Sequence, residues 1–187
     1  LFGVASTDQF SPGDDGAADT LLGGDGNDNF YIGVGDTVVE AAGEGIDTVF
    51  LRDVTNHTLG DNVENLAAAI FIGPATLAGN VLDNQIEGSI DGDSIDGAAG
   101  NDSLAGGDGH DTLVGGAGAD FLSGGFEDDN LWGINSDSTD DGAADTLAGG
   151  DNNDTYHVGV GDVVSEAADE GTDTVLVGGD LDSYSLG

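Results

Sequence analysis

From Gly79 the sequence reads in nines: GNVLDNQIE, GSIDGDSID, GAAGNDSLA, GGDGHDTLV, GGAGADFLS and GGFEDDNLW, six units that reach Trp132 without an insertion. Every unit opens with glycine. Its sixth residue is Asn84, Asp93, Asp102, Asp111, Asp120 or Asp129, and its eighth is Ile86, Ile95, Leu104, Leu113, Leu122 or Leu131. Three fixed columns over six rows constrain the fold more than any other feature. A period this short means one small structural unit stacked on the next.

Glycines at positions one, two and four allow positive φ and close backbone approach. The first half of the unit therefore reads as a tight turn that aims carbonyl oxygens inward, joined by the carboxylate of the sixth residue. The last three residues form a minimal strand whose middle side chain points in and whose neighbours point out. Two units then make one coil, and successive coils pair as parallel strands over a thin core of eighth residues. Turns of equal parity lie on one edge, 18 residues apart. Carbonyl and carboxylate oxygens are the donors of Ca²⁺, which takes roughly six to eight of them at about 2.3–2.6 Å. One turn cannot supply that many, but two stacked turns can. Ions are therefore expected between Gly97–Asp102 and Gly115–Asp120, between Gly106–Asp111 and Gly124–Asp129, and between Gly88–Asp93 and Gly106–Asp111.

The register slips over Gly133–Thr139 and resumes with Asp140–Ala148 and Gly149–His157. Asp14–Leu22 and Gly23–Tyr31 are their counterparts near the front, and Ala42–Phe50 and Ala168–Leu176 are looser copies. A longer period lies on top: Asp14–Leu51 aligns with Asp140–Val177 at an offset of 126, with 26 identities in 38 positions. LFGVAS at Leu1 is also similar to LWGINS at Leu131. The expected organisation is a partial repeat at 1–78, with a nonapeptide pair (14–31) and a β-rich spacer. The six-unit block follows at 79–132, and the start of the next tandem copy at 133–187, with its own pair (140–157) and spacer. The spacer Thr48–Asn80 reads as short strands with turns at Gly60-Asp61 and Gly73-Pro74. Within it NVENLAAAIFI (62–72) reads as strand in preference to a short helix.

Charge sharpens the argument. There are 38 acidic residues against a single basic one, Arg52, for a formal charge of −37. Such a chain repels itself when compact. An acidic disordered tail, a halophile's surface and a cation-loaded fold all share this composition. Acids scattered over a surface would not fall in a column behind glycine turns. Nucleic acid is excluded as a partner because phosphate binding needs Lys and Arg, and anionic membrane surfaces are excluded likewise. No apolar run is long enough to span a bilayer. With no Cys, another device must staple the fold, and a metal serves. No basic-then-apolar leader opens the chain. It begins at Leu1 and is expected to be part of something longer.

The pattern G-G-x-G-x-D-x-U-x resembles the RTX (repeats-in-toxin) calcium-binding nonapeptide. The spacer motifs NVENL and GEGIDTV resemble those between RTX blocks in very long bacterial adhesins and related secreted proteins. The resemblance implies an all-β parallel β-roll, export through a type I secretion channel, and folding outside the cell on meeting several Ca²⁺ ions. It also implies that the ligands are the position-six aspartates and the turn carbonyls. Carried over by motif, these are Asp28, Asp93, Asp102, Asp111, Asp120, Asp129 and Asp154, with Asp19 and Asp145 from the DDGAAD turns. The turn residues are Gly23, Asp25, Gly97, Ala99, Gly106, Asp108, Gly115, Ala117, Gly124, Gly149 and Asp151. The match is uneven. Glu127 and Asn152 stand where the third glycine belongs, and Asn84 replaces the acid, so the first site of the run is expected to be weak or empty. Asp47 and Asp173 rank lowest.

The remaining polar residues invite simpler readings. Glu40, Glu44, Glu64, Glu166 and Glu170 lie outside the turns and are expected on a solvated face, with Arg52 paired to a nearby acid. His57, His110 and His157 show no metal-ligand spacing and are expected at the surface. Phe30 and Tyr156 take the eighth position and should fill the core. Phe2 and Trp132 either cap the roll or touch a neighbour. No H-E-x-x-H, no G-x-S-x-G and no lysine of any kind is present. The expected function is therefore a calcium-binding structural repeat of a secreted adhesin, surface-layer or filament protein. The alternative is an accessory module of a secreted protease, lipase or alginate epimerase. Open sheet edges also make self-association into fibres or tandem arrays a possibility to test.

Overall fold

The computed structural model describes residues 9–10 (backbone), 18–68, 73–168 and 170–178. Among these all regular structure is β and every strand pair is parallel. Odd-numbered strands build one sheet. They are β1 (Gln9–Phe10), β3 (Asn29–Ile32), β5 (Thr48–Leu51), β7 (Asn65–Ala67), β9 (Gln85–Glu87), β11 (Ser103–Asp108), β13 (Phe121–Phe126), β15 (Thr146–Gly150) and β17 (Val163–Val164), adjacent in that order. Even-numbered strands build the other: β6 (Asn56–Thr58), β8 (Thr76–Ala78), β10 (Ser94–Asp96), β12 (Thr112–Val114), β14 (Asn130–Trp132), β16 (Thr155–Val158) and β18 (Thr174–Val177). A separate pair, β2 (Thr20–Leu22) and β4 (Thr37–Val39), lies at the front. From β5 onward the chain alternates between two parallel sheets at every strand, which makes it a solenoid, here the expected parallel β-roll.

The eighth-position column is the core. Ile86, Leu104 and Leu122 stack in the odd sheet and Ile95, Leu113 and Leu131 in the even sheet, each at most 1% exposed. Phe30 and Tyr156 extend the columns, also fully buried. The spacers continue them: Val49 and Leu66 follow Phe30, and Leu77 precedes Ile95. The rungs differ in length. Inside the block partners are 18 apart, as in Leu104↔Leu122. In the spacers they are 17 apart at Val49↔Leu66 and 20 apart at Leu66↔Ile86. The Gly133–Thr139 slip is absorbed as a loop. Leu122 pairs with Leu147 and Leu131 with Tyr156, each 25 residues on, and Asn135 N–H closes the excursion on Thr139 O at 2.9 Å. The buried core is thin, built mainly of one inward column from each of the two sheets.

Two histidine expectations are corrected. His57 takes the inward place of β6, paired with Leu77, and is half-buried; burial lowers its pKa. His157 is half-buried too, because Trp132 stacks on it with ring centroids 3.5 Å apart. That contact settles Trp132 as packed along the roll against the next rung. His110 is exposed, with Nδ1 2.9 Å from Asp128 O. β7 makes strand of Asn65–Ala67, whereas residues 69–72 and Phe2 lie outside the described residues.

Candidate metal centres

Each nonapeptide turn places its glycines for two different reasons. Gly107 and Gly109, at positions two and four, have φ of 116° and 115°, where a side chain is strained. Gly106, at position one, has no such φ. A Cβ there would instead collide with Asp111 Oδ2. The same collision recurs at Gly97 with Asp102, Gly115 with Asp120, Gly124 with Asp129 and Gly149 with Asp154. At Gly97 the added Cβ would also meet Gly115 O, and at Gly124 it would meet Gly149 O. Position one is therefore a slot kept open beside a carboxylate oxygen and the position-one carbonyl of the next rung.

The two oxygens of each aspartate divide their work. Oδ1 accepts the backbone N–H of the ladder residue one rung back: Asn84 to Asp102 (2.7 Å), Asp93 to Asp111 (2.7 Å), Asp102 to Asp120 (2.8 Å) and Asp111 to Asp129 (2.8 Å). Across the inserted loop Asp120 N–H reaches Asp145 and Asp129 N–H reaches Asp154, both at 2.8 Å. Oδ2 of Asp102, Asp111, Asp120, Asp129, Asp145 and Asp154 is buried with no hydrogen-bond partner. A buried carboxylate oxygen left unpaired is costly, and a column of them is the donor set a cation would satisfy. Burial pushes the carboxyls of Asp102, Asp111, Asp129 and Asp145 up to about 7, and those of Asp120 and Asp154 up to about 6, against the opposing pull of the accepted N–H. An all-oxygen slot with an orphaned anionic donor fits Ca²⁺.

The other expected residues sort by the same test. Asp93 is 3% exposed, but its Oδ2 already takes Ser89 N–H at 2.5 Å. Asn84 accepts Asn80 N–H at 2.8 Å and donates to Glu64 O at 3.1 Å, so its turn is satisfied within the chain. Asp19 is exposed, its N–H donating to Asp36 Oδ1 at 3.0 Å. Of the turn residues, Gly97, Gly106, Gly115, Gly124 and Gly149 are buried and Gly23 and Ala99 half-buried, while Asp25, Asp108, Ala117 and Asp151 are exposed.

The ladder runs further than the glycine motif shows. Asp28 N–H donates to Asp47 Oδ1 at 2.8 Å, and Asp47 N–H to Glu64 at 2.9 Å. Asp145 N–H donates to Asp162 and Asp154 N–H to Asp173, both at 3.1 Å. Asp47, ranked lowest from its motif, is fully buried with Oδ2 unpartnered. Glu40, expected on a solvated face, is 8% exposed with Oε2 unpartnered. Asp36, Glu64 and Asp162 share one sequence signal that the glycine motif does not contain: an acid two residues before an inward apolar residue, whatever glycines precede it.

A family model, the RTX calcium-binding nonapeptide repeat (4 copies), matches residues 78–113, 105–133 and 139–163. The chain carries RTX calcium-binding repeats. No curated protein and no solved structure matches it.

Proposed function

We propose that this segment is a calcium-gated structural repeat of a large exported protein, an adhesin, surface-layer or filament component. The observation that carries the reading is the column of six buried Oδ2 atoms without partners. Without the ion these carboxylates repel one another and the glycine-rich turns favour an open chain. With it, Oδ1 keeps the rungs in register, while Oδ2 and the position-one carbonyls hold the cation. Binding free energy then becomes folding free energy.

The magnitudes suit an extracellular switch. At a Kd near 10⁻⁴ M and about millimolar Ca²⁺, each site contributes about 1.4 kcal/mol. Five such sites reach roughly 7 kcal/mol, comparable with the net stability of a whole domain. At sub-micromolar Ca²⁺ the same sites contribute almost nothing, so the chain would stay open until it leaves the cell, which suits passage through a type I channel. The 126-residue offset supports a tandem array in which calcium stiffens a spacer. Calcium titration followed by circular dichroism, with magnesium as control, tests the reading. β signal should appear cooperatively with calcium and not with magnesium. At about pH 8, where the buried carboxyls are ionised, a chain equally β-rich in chelator would overturn it.

A further inference from the structure

The first coil contains an acidic slot built differently from those of the block. Its residues lie outside the segments matched by the repeat family. Val38 pairs with Leu21, so Glu40 falls where the next rung of the block would carry its position-one glycine. In the block that place offers a backbone carbonyl. Here a carboxylate reaches back instead, and a Cβ added at Gly23 would collide with Glu40 Oε2. Ligand oxygens of Asp28, Glu40 and Asp47 all lie within 4.8 Å of one another. All three residues are more than nine-tenths buried, and Asp28 Oδ1, Glu40 Oε2 and Asp47 Oδ2 each lack a hydrogen-bond partner. Glu40 Oε1 is held by Gly24 N–H at 3.0 Å, which fixes the side chain in the slot. Three converging carboxylates sum to more negative charge than one chain can bury unpaired.

We propose that Asp28, Glu40 and Asp47 form a separate hard-cation site, suited to Ca²⁺, in which a glutamate side chain replaces the carbonyl of the repeat's own slots. The second copy shows what tunes it. At the 126-residue offset stand Asp154, Glu166 and Asp173, but Phe30 is replaced by Tyr156. The buried Tyr156 hydroxyl donates to Glu166 Oε1 and accepts Gly149 N–H at 2.7 Å. Phe30, equally buried, has no hydroxyl to offer Glu40. The tyrosine gives the glutamate an internal partner; the phenylalanine leaves it for a cation. Glu166 is also exposed among the described residues, where Glu40 is buried.

This inference rests on the calcium reading but fails separately from it. The test is equilibrium dialysis of the whole chain against ⁴⁵Ca²⁺, with folding followed by circular dichroism. Glu40→Gln keeps an acceptor for Gly24 N–H and should bind one ion fewer than the unsubstituted chain. Glu166→Gln should bind the same number. Phe30→Tyr, which leaves all three carboxylates in place, should also lose one ion, and it stands in if Glu40→Gln does not fold. Unchanged ion counts in Glu40→Gln and Phe30→Tyr overturn the site. An equal loss in Glu166→Gln overturns the role given to the tyrosine hydroxyl. No calcium bound by the unsubstituted chain overturns the calcium reading itself.

Discussion

Asp111 in the nonapeptide block and Asp162 in the second spacer hold the same place in the ladder. Each stands two residues before an inward side chain, and each takes a backbone N–H from the rung before it, Asp93 N–H at 2.7 Å and Asp145 N–H at 3.1 Å. Their second oxygens part company. Asp162 Oδ2 accepts Gly159 N–H of its own turn at 2.7 Å, and Asp36 Oδ2 accepts Gly33 N–H at 2.9 Å in the first copy. Asp111 Oδ2 has no partner. The turn explains the difference. Eight residues separate inward Tyr156 from inward Val164, against nine between Leu104 and Leu113. The shorter turn curls its own N–H onto the carboxylate. The longer, glycine-paired turn leaves the oxygen facing an open slot. The ladder is thus common to block and spacers, while turn length and the opening glycine pair together decide which rungs demand an ion. Asp93, in a nine-residue turn with Ser89 in place of the second glycine, is satisfied by Ser89 N–H.

The largest expected effect tests the shared core. Leu113→Ala should cost about 2–5 kcal/mol in saturating calcium, read from the urea midpoint. His57→Ala, at a half-buried inward place of the spacer, should cost clearly less. Equal losses would show that block and spacer bear load alike.

Next comes the contrast between carboxylates. Asp111→Asn keeps the ladder acceptor but removes the anionic donor, and it should weaken that site roughly tenfold, equivalent to about 1.4 kcal/mol. Asp162→Asn should leave the calcium midpoint unchanged. A similar shift in both would erase the distinction drawn from their second oxygens.

Acidity offers a third test, made in chelator. The orphaned carboxyls sit near 6–7 in the folded chain, raised by burial from an ordinary 3.8. A raised folded pKa means that protonation favours the metal-free fold. That stabilisation is complete below about pH 4 and fades as pH rises through 6–7. The chelated chain should therefore lose β signal between pH 5 and about 8. With calcium present the trend reverses, because the ion must displace those protons. A chelated chain that gains structure with rising pH would contradict the burial of these groups.

The smallest effect concerns strain. Glu127 has φ of 75° in a place that other turns give to glycine. Glu127→Gly should stabilise the calcium-bound roll by about 0.5–1 kcal/mol, the relief of a left-handed side chain less the flexibility that glycine adds. A shift in midpoint of the opposite sign would show that the glutamate is held by contacts of its own.

The block was legible because its period is fixed: once Leu104 is inward, Leu113 and Leu122 must be, and Asp102, Asp111 and Asp120 stand two residues before them. The spacers hid more. Their rungs of 17 to 20 residues give no count by which to turn His57 inward. Glu40 escaped because its carboxylate serves the turn of the preceding rung, a relation set by stacking and invisible along the chain. The partnered oxygens of Asp93 and Asp162 depend on local turn shape, which glycine counting does not resolve.

The most direct test of the central claim is a high-resolution crystal structure grown in calcium, with the ions assigned from anomalous differences. Ions should lie within about 2.3–2.6 Å of Oδ2 of Asp102, Asp111, Asp120 and Asp129, and none beside Asp36 or Asp162. Water molecules in those four slots, in an otherwise intact roll, would contradict the claim that cations hold it closed.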